Sequence, residues 1–407
     1  MKLNYLFMLL PFLSCTQQNN LEKNILVETP INDIITLDSI QNDIYSRDVF
    51  ESIEFIPLET NRSNLFSDIS DMLIIGDRYY ILNRSINQVL IFDSEGRFLG
   101  TFDGKSDVDE IQFLQLRKSN KPDLIYVRDG NTSSIISFTG SGKYISRKEV
   151  KSDFYSFAPI GNKFVIYNHY LTREEISKGD DKKYLIDLID TSSMKTVDSY
   201  IGYNEKSIYK GEIPNNWKNF YECGNELFLT IQGQLNYYKI SEEGILSTTE
   251  IKLNRPNLFQ IPNDFIVNPE YFGKRSEYLD RNKKEFYNIR SIFKTKNGVI
   301  YTLGNRSRPI NLLSLSGRGN ILESDIKYES DTKTLPPISY FVYGSDEEYF
   351  YSYYPSKQFL DAMNEVPNRN SILSENENLR SVYNKINMLS NGVIVKFKLK
   401  DVKINKL

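Results

Sequence analysis

Met72-Leu-Ile-Ile-Gly-Asp-Arg-Tyr-Tyr-Ile-Leu-Asn-Arg-Ser-Ile-Asn-Gln-Val-Leu-Ile-Phe-Asp-Ser-Glu-Gly-Arg-Phe-Leu-Gly-Thr-Phe102 reads as four strands and three turns. The apolar run Met72 to Ile75 ends at Gly76-Asp-Arg. Tyr79 to Leu82 follows and breaks at the polar corner Asn83-Arg84-Ser85. Gln88 to Phe92 meets the turn Asp93-Ser-Glu-Gly96, and Arg97 to Phe102 makes the fourth run. Gly, Asp, Asn and Ser suit tight β connections because they tolerate positive φ or bond to their own backbone.

The same order returns along the chain. Asp123-Leu-Ile-Tyr-Val-Arg-Asp-Gly precedes Ser134-Ile-Ile-Ser-Phe-Thr-Gly-Ser-Gly, and Gly161-Asn-Lys-Phe-Val-Ile-Tyr precedes Tyr184-Leu-Ile-Asp-Leu-Ile-Asp. Gly224-Asn-Glu-Leu-Phe-Leu-Thr-Ile precedes Leu235-Asn-Tyr-Tyr-Lys-Ile, and Asn297-Gly-Val-Ile-Tyr-Thr-Leu precedes Ile310-Asn-Leu-Leu-Ser-Leu. A sixth unit starts at Ile338 and finishes near Gly392-Val-Ile-Val-Lys-Phe-Lys-Leu. The turn glycines lie 20 residues apart in two units, Gly76 to Gly96 and Gly224 to Gly244. Four strands in roughly 40 residues, repeated, are the mark of propeller blades. The expected fold is all-β: a six-bladed β-propeller of four-stranded blades over residues 49–407. The unassigned run from Val49 to Leu58 is expected to supply the outer strand of the last blade and close the ring, which hides a sheet edge. A β-sandwich is the alternative, but sandwiches rarely repeat one turn order so often. Three stretches break the pattern: a charged insert at 172–183, and segments at 269–288 and 356–386 where helical spacing returns. Inserts this long usually cover or bind something.

Composition narrows the function classes. The 407 residues carry 50 basic and 53 acidic side chains, which speaks against a nucleic-acid partner. Tyr (28) and Phe (24) abound, while Trp and His occur once each. A single histidine disfavours most zinc sites and Ser-His or Cys-His catalysts.

Lys2 is followed by an apolar run from Leu6 to Leu13, then Ser14, Cys15 and the polar Thr16-Gln-Gln-Asn-Asn. The run is too short to span a bilayer and has the form of a secretory signal. A Cys after a small residue resembles the bacterial lipobox, although Phe12 and Leu13 depart from its common pattern. We expect a signal peptide over 1–14, lipidation at Cys15, a tether over 15–48, and an address in the cell envelope at the outer membrane. The membrane is then a partner through the lipid anchor. An ordinary signal peptide with an incidental cysteine is the alternative. Cys223 has no partner in the mature chain but Cys15, so a disulfide framework is excluded and a buried structural thiol is expected.

Phe55-Ile-Pro-Leu-Glu-Thr, Val89-Leu-Ile-Phe-Asp-Ser-Glu-Gly-Arg-Phe-Leu and Asn391-Gly-Val-Ile-Val-Lys-Phe-Lys-Leu-Lys resemble stretches of the six-bladed, NHL-like β-propeller lipoproteins of Bacteroidota, a group largely without assigned function. The resemblance spans nearly the whole mature chain. It implies the fold and the address and supplies no catalytic residues. The chain departs from it after the first blade, where Asp103-Gly-Lys-Ser-Asp-Val-Asp-Glu replaces a Gly-rich segment.

Aligning the repeats places the corner after each second strand on one rim. Asn83-Arg84, Arg128-Asp129, Asn168-His169, Thr230 with Gln232, Asn305-Arg306 and Tyr353-Tyr354 fall there. Arg84, Arg128, His169, Gln232, Arg306 and Tyr354 are therefore the candidate ligand-binding residues of a channel mouth. Arginine forks suit carboxylates and phosphates, and aromatic faces suit sugar rings. The plainer reading is that corners are polar because they are wet. No catalytic or metal-binding residue is assigned and no cofactor is expected. Asp103, Asp107, Asp109 and Glu110 could bind calcium, but their spacing is not that of an EF-hand, and a solvated acidic loop fits as well. Trp217 could offer a stacking platform or pack within a loop. The expected function is a binding or scaffold module for a glycan, an anionic ligand or an envelope protein. A calcium-dependent lactonase or polysaccharide lyase is the enzymatic alternative, and a subunit of an envelope complex a third.

Overall fold

The computed structural model describes residues 30–38, 44–103, 110–121, 123–151, 154–170, 183–203, 211–214, 218–328, 334–366 and 368–401. Cys15, Asp107, Asp109, Trp217 and the charged insert as far as residue 182 lie outside the described residues, and Asp103 is described by its backbone alone. Six sheets of antiparallel strands form the blades, each running from an inner to an outer strand. Blade 1 comprises 71–75, 78–83, 88–93 and 98–103; blade 2 comprises 113–118, 124–129, 134–139 and 144–149. Blade 3 is built from 156–160, 163–167, 183–190 and 196–203; blade 4 from 220–223, 226–230, 236–241 and 244–253. Blade 5 takes 288–295, 298–304, 310–315 and 319–322, and blade 6 takes 342–345, 350–354 and 393–399. The inner strands touch one another in cyclic order, so the blades form a closed ring.

The fourth strand of blade 6 comes from the other end of the chain. Residues 50–57 pair with 393–399, from Phe50 opposite Leu399 to Pro57 opposite Val393. The closure expected of that run is thus present, and strand 393–399 is paired on both sides. Part of the segment read as a tether is also packed on the ring. Residues 31–37 add a fifth, parallel strand to the edge of blade 4, and 44–45 pair with 326–327 beside blade 5.

Aromatic side chains fill the seams between blades. Phe102 of blade 1 meets Phe113 and Phe138 of blade 2 at ring-centroid distances of 5.9 and 5.0 Å. Burying one such side chain contributes roughly 1.5–3 kcal/mol. The turns between third and fourth strands lean onto the preceding blade. A Cβ on Gly142 would come within 2.6 Å of Phe102, and one on Gly244 within 2.6 Å of the Tyr200 ring. Both glycines also have positive φ, +87° and +123°, so the seam needs glycine for space as well as conformation.

Strand direction divides the ring into two faces. Every first-to-second connection, and the third-to-fourth connections of blades 1 to 5, fall on one face, and all are short turns. Every second-to-third and blade-to-blade connection falls on the other, where the long excursions 254–287 and 355–392 lie. The helical segments expected there are present as 275–281 in the first and 356–365, 369–375 and 377–385 in the second. Among the described residues no helix is long and apolar enough to cross a membrane.

Candidate functional site: the channel and its mouth

The six inner strands bring polar side chains to the axis of the ring. Asp71, the first residue of its strand, accepts the backbone N–H of Leu116 in blade 2 at 3.0 Å. Lys218, at the entry to blade 4, reaches it across the ring with Nζ 2.9 Å from Oδ1. Arg117 lies 4.0 Å from the same carboxylate. Its guanidinium also donates to the Phe157 carbonyl at 2.6 Å and to the Ser156 hydroxyl at 3.2 Å, both in blade 3. One ionic network therefore ties blades 1, 2, 3 and 4 together at the centre. Asp71 and Arg117 are buried, so the network plugs the channel below its mouth.

The electrostatics follow from this packing. Burial alone would raise the Asp71 carboxyl, but the charges of Lys218 and Arg117 hold it below the ordinary carboxylate value. Glu222, in the inner strand of blade 4, goes the other way. Burial raises its carboxyl, Arg117 and Lys218 offset this only in part, and its buried Oε1 lacks a hydrogen-bond partner. The network thus adjoins a second buried carboxyl whose titration is shifted in the opposite direction from that of Asp71.

The rim above the plug mixes cations and aromatic rings. Arg290 projects from a bulge in the inner strand of blade 5, donates to the Asn305 carbonyl at 3.1 Å and lies 6.0 Å from the Phe341 ring. Arg308 lies 6.0 Å from the Tyr340 ring in the connection to blade 6, and Tyr340 is exposed. Tyr155 packs against His169 at the entry to blade 3, with ring centroids 4.6 Å apart.

All six corner residues nominated from the repeats sit at this end of the ring, because each lies at or just beyond the last two residues of its blade's second strand. Their side chains do different things. Arg84 donates to the Leu114 carbonyl of blade 2 at 3.0 Å, and burial lowers its pKa. Arg128 donates to the Phe154 carbonyl and lies 4.9 Å from that ring. These two arginines staple adjacent blades. His169 is buried with φ of 45°, and its Nδ1 is 3.3 Å from the Tyr167 hydroxyl, which itself donates to Gln232 Oε1 at 3.1 Å. Gln232 also accepts from Asn219 Nδ2 at 3.2 Å and is fully buried. Arg306 reaches helix 275–281, with Nε 3.5 Å from Asp280. Tyr354 is buried under the helices of blade 6 and donates to the Pro336 carbonyl at 2.8 Å. The structure joins His169 to Gln232 and leaves the other four apart. Cys223 is buried beside the Ile292 carbonyl, and burial pushes its thiol up to about 12. Of the acidic loop, Glu110 accepts from Asn131 Nδ2 through its backbone carbonyl at 3.1 Å.

Asp71, Arg117, Lys218, Glu222 and Arg290 were not singled out from the sequence. A signal existed: in Phe113-Leu-Gln-Leu-Arg-Lys, Gln115 and Arg117 alternate with apolar residues in a first strand, as a channel-facing edge would.

Ring, central network and decorated rim define a six-bladed β-propeller with one elaborated face. The chain belongs to the family described as "Domain of unknown function (DUF4934)", whose model matches residues 32–398. It is similar in structure to a Bacteroides fragilis protein named "Putative exported protein", with 13% identity, 90% of this chain and 99% of that one covered, and a TM-score of 0.70. A member of the DUF4221 family from Bacteroides vulgatus shares 12% identity over 87% of this chain and 98% of that one, with a TM-score of 0.52. At such identities the likeness bears on the fold alone. No curated protein matches the sequence.

Proposed function

We propose that this chain is an exported, lipid-anchored ring that acts as a binding module, taking a glycan or an anionic ligand, or an envelope protein presenting either, at its mouth. The observation that carries the reading is the rim itself: Arg290 and Arg308 stand beside the Phe341 and Tyr340 rings on the face that holds the long connections. Guanidinium and ammonium groups pair with carboxylate, phosphate or sulfate, and exposed aromatic faces stack on sugar rings. A rigid scaffold with elaborated loops on one side suits recognition. The similar Bacteroides fragilis protein named as exported supports a site outside the cytoplasm, and the signal-like segment ending at Cys15 supports a lipid anchor. No cofactor is required in this reading.

The test is a glycan-array screen of the chain from Asn20 onward, which retains every described element of the ring, followed by titration of the best saccharide. Binding that falls at least about tenfold in an Arg290→Ala/Arg308→Ala variant is expected, in line with loss of charge-assisted contacts. Full binding by that variant, and by Arg84→Ala/Arg306→Ala, removes the mouth as the site.

A further inference from the structure

Four exposed aliphatic side chains occupy one structural position. Leu99, Ile145, Val197 and Leu246 are 52%, 49%, 53% and 54% exposed. Each lies at the start of its blade's fourth strand, and each is the extra residue of a β-bulge. The register skips from Gly100 to Phe98 in blade 1, from Ser146 to Tyr144 in blade 2, from Asp198 to Thr196 in blade 3 and from Ser247 to Ile245 in blade 4. A bulge re-aims the side chain it carries, here out of the sheet and away from the seam. Nothing in the packing of a blade requires that side chain to be apolar. Blade 6 has the same bulge with Glu51 in it, 3.0 Å from Lys398. Blade 5 has no bulge there, and its Asn320 bonds the Thr36 carbonyl of the N-terminal strand.

We propose that these four residues form a belt that seats the short-turn face of the ring on a lipid bilayer, with the mouth turned away from it. Three observations select a lipid surface. Equivalent positions in successive blades of a ring lie on one circle, and a circle defines a plane. Single aliphatic side chains one blade apart make a poor contiguous protein interface, whereas a membrane surface accepts separate shallow anchors. Second, exposed lysines stand two residues before two of the four, Lys143 and Lys195, while Arg97, two residues before Leu99, is paired with Asp93 and Glu95. Basic groups flanking apolar anchors are the pattern of interfacial binding to anionic headgroups. Third, the N-terminal strand joins the outer edge of blade 4 midway along strand 244–253, close to Leu246. Ile31 pairs with Thr248, so the chain joins blade 4 beside Leu246, and Ile31 and Ile34 are themselves exposed. Cys15 lies 15 residues before Pro30, a span of at most about 50 Å. The direction rests on the lipid anchor of the proposed function, but the belt does not depend on it.

The test uses the chain from Asn20 onward, which lacks Cys15, and large unilamellar vesicles of phosphatidylethanolamine with phosphatidylglycerol. An environment-sensitive fluorophore is placed on Ile145→Cys in one sample and on Ile86→Cys in another. Ile86 is 43% exposed in the corner between the second and third strands of blade 1, on the mouth face, and Cys223 is buried away from the reagent. The label at 145 is expected to shift to the blue on adding vesicles and the label at 86 to stay in water. Replacing Leu99, Val197 and Leu246 with serine in the 145-labelled chain is expected to lower vesicle affinity about tenfold or more. Three results overturn the proposal: no shift at 145, a shift at 86 as large as at 145, or unchanged affinity in the serine variant. A vesicle-independent dimer that the serine variant abolishes also overturns it and makes the belt a contact between copies. Saccharide binding at the mouth is read separately, so either reading can fail without the other.

Discussion

On one face of the ring the chain reverses in turns of a few residues, such as 76–77, 161–162 and 224–225; on the other it travels through 254–287 and 355–392 before re-entering a blade. The short-turn face is fixed by local backbone demands, above all glycines held against a neighbouring blade. The mouth face is fixed by side chains that reach over long sequence distances. Arg275 joins the Glu212 carboxylate at 2.9 Å and the carbonyls of Phe265 and Ile266 at 2.8 and 2.7 Å, all buried. One residue thus holds the 254–287 excursion to the connection before blade 4. The difference teaches where tolerance lies: the short-turn face is sensitive to a single methyl group, the mouth face to the loss of a single charge.

Removing that charge gives the largest expected effect. Arg275→Met leaves Glu212 buried opposite an apolar side chain and abandons two carbonyls. Breaking a buried ion pair from one side costs about 3–5 kcal/mol. Denaturant unfolding should show that loss, and limited proteolysis should cut within 254–287 before any blade. Unchanged stability would mean that the excursion is held elsewhere.

Glycine substitutions probe the other face. Gly142→Ala combines a disfavoured φ with a clash against Phe102 and should cost about 2–4 kcal/mol. Gly76 has φ of +61° with open space around its missing Cβ, so Gly76→Ala should cost about 1 kcal/mol. Thermal unfolding of the pair separates conformation from contact. Equal losses would leave the short-turn face without its seam.

The repeated order of runs and turns made the ring legible, including its closure by the strand at 50–57, because turn residues carry their reasons locally. The bulges at Leu99 and its equivalents were not legible, since one extra residue leaves no mark on an apolar run. Alignment of the corners placed Arg84, Arg128, His169, Gln232, Arg306 and Tyr354 on one face of the ring, the face of the long connections. It could not tell that Tyr354 would lie beneath helices or that Arg84 and Arg128 would be spent on neighbouring carbonyls. The Asp71–Lys218 pair was hidden for a related reason: 147 residues separate partners that only the closed ring brings together.

Titration of one carboxyl sharpens the comparison through pH. Glu323, partly buried beyond the outer strand of blade 5, has its carboxyl raised by burial to about 7, with Arg308 only partly offsetting it. A carboxyl raised in the folded state holds its proton more tightly there than in the unfolded chain. The folded state therefore loses stability as pH climbs from the ordinary carboxylate range, near 4.5, to above 7, and regains it on acidification. The loss should be about 1–3 kcal/mol after allowance for partial exposure. Glu323→Gln should remove this dependence and be the more stable protein at pH 8, with the two proteins converging near pH 4. Denaturant midpoints across that range decide it. Parallel curves would mean that the carboxyl titrates as in water, and that the mouth side tolerates an ionised acid beside Tyr328 and Tyr354 as readily as the short-turn face tolerates its exposed charges.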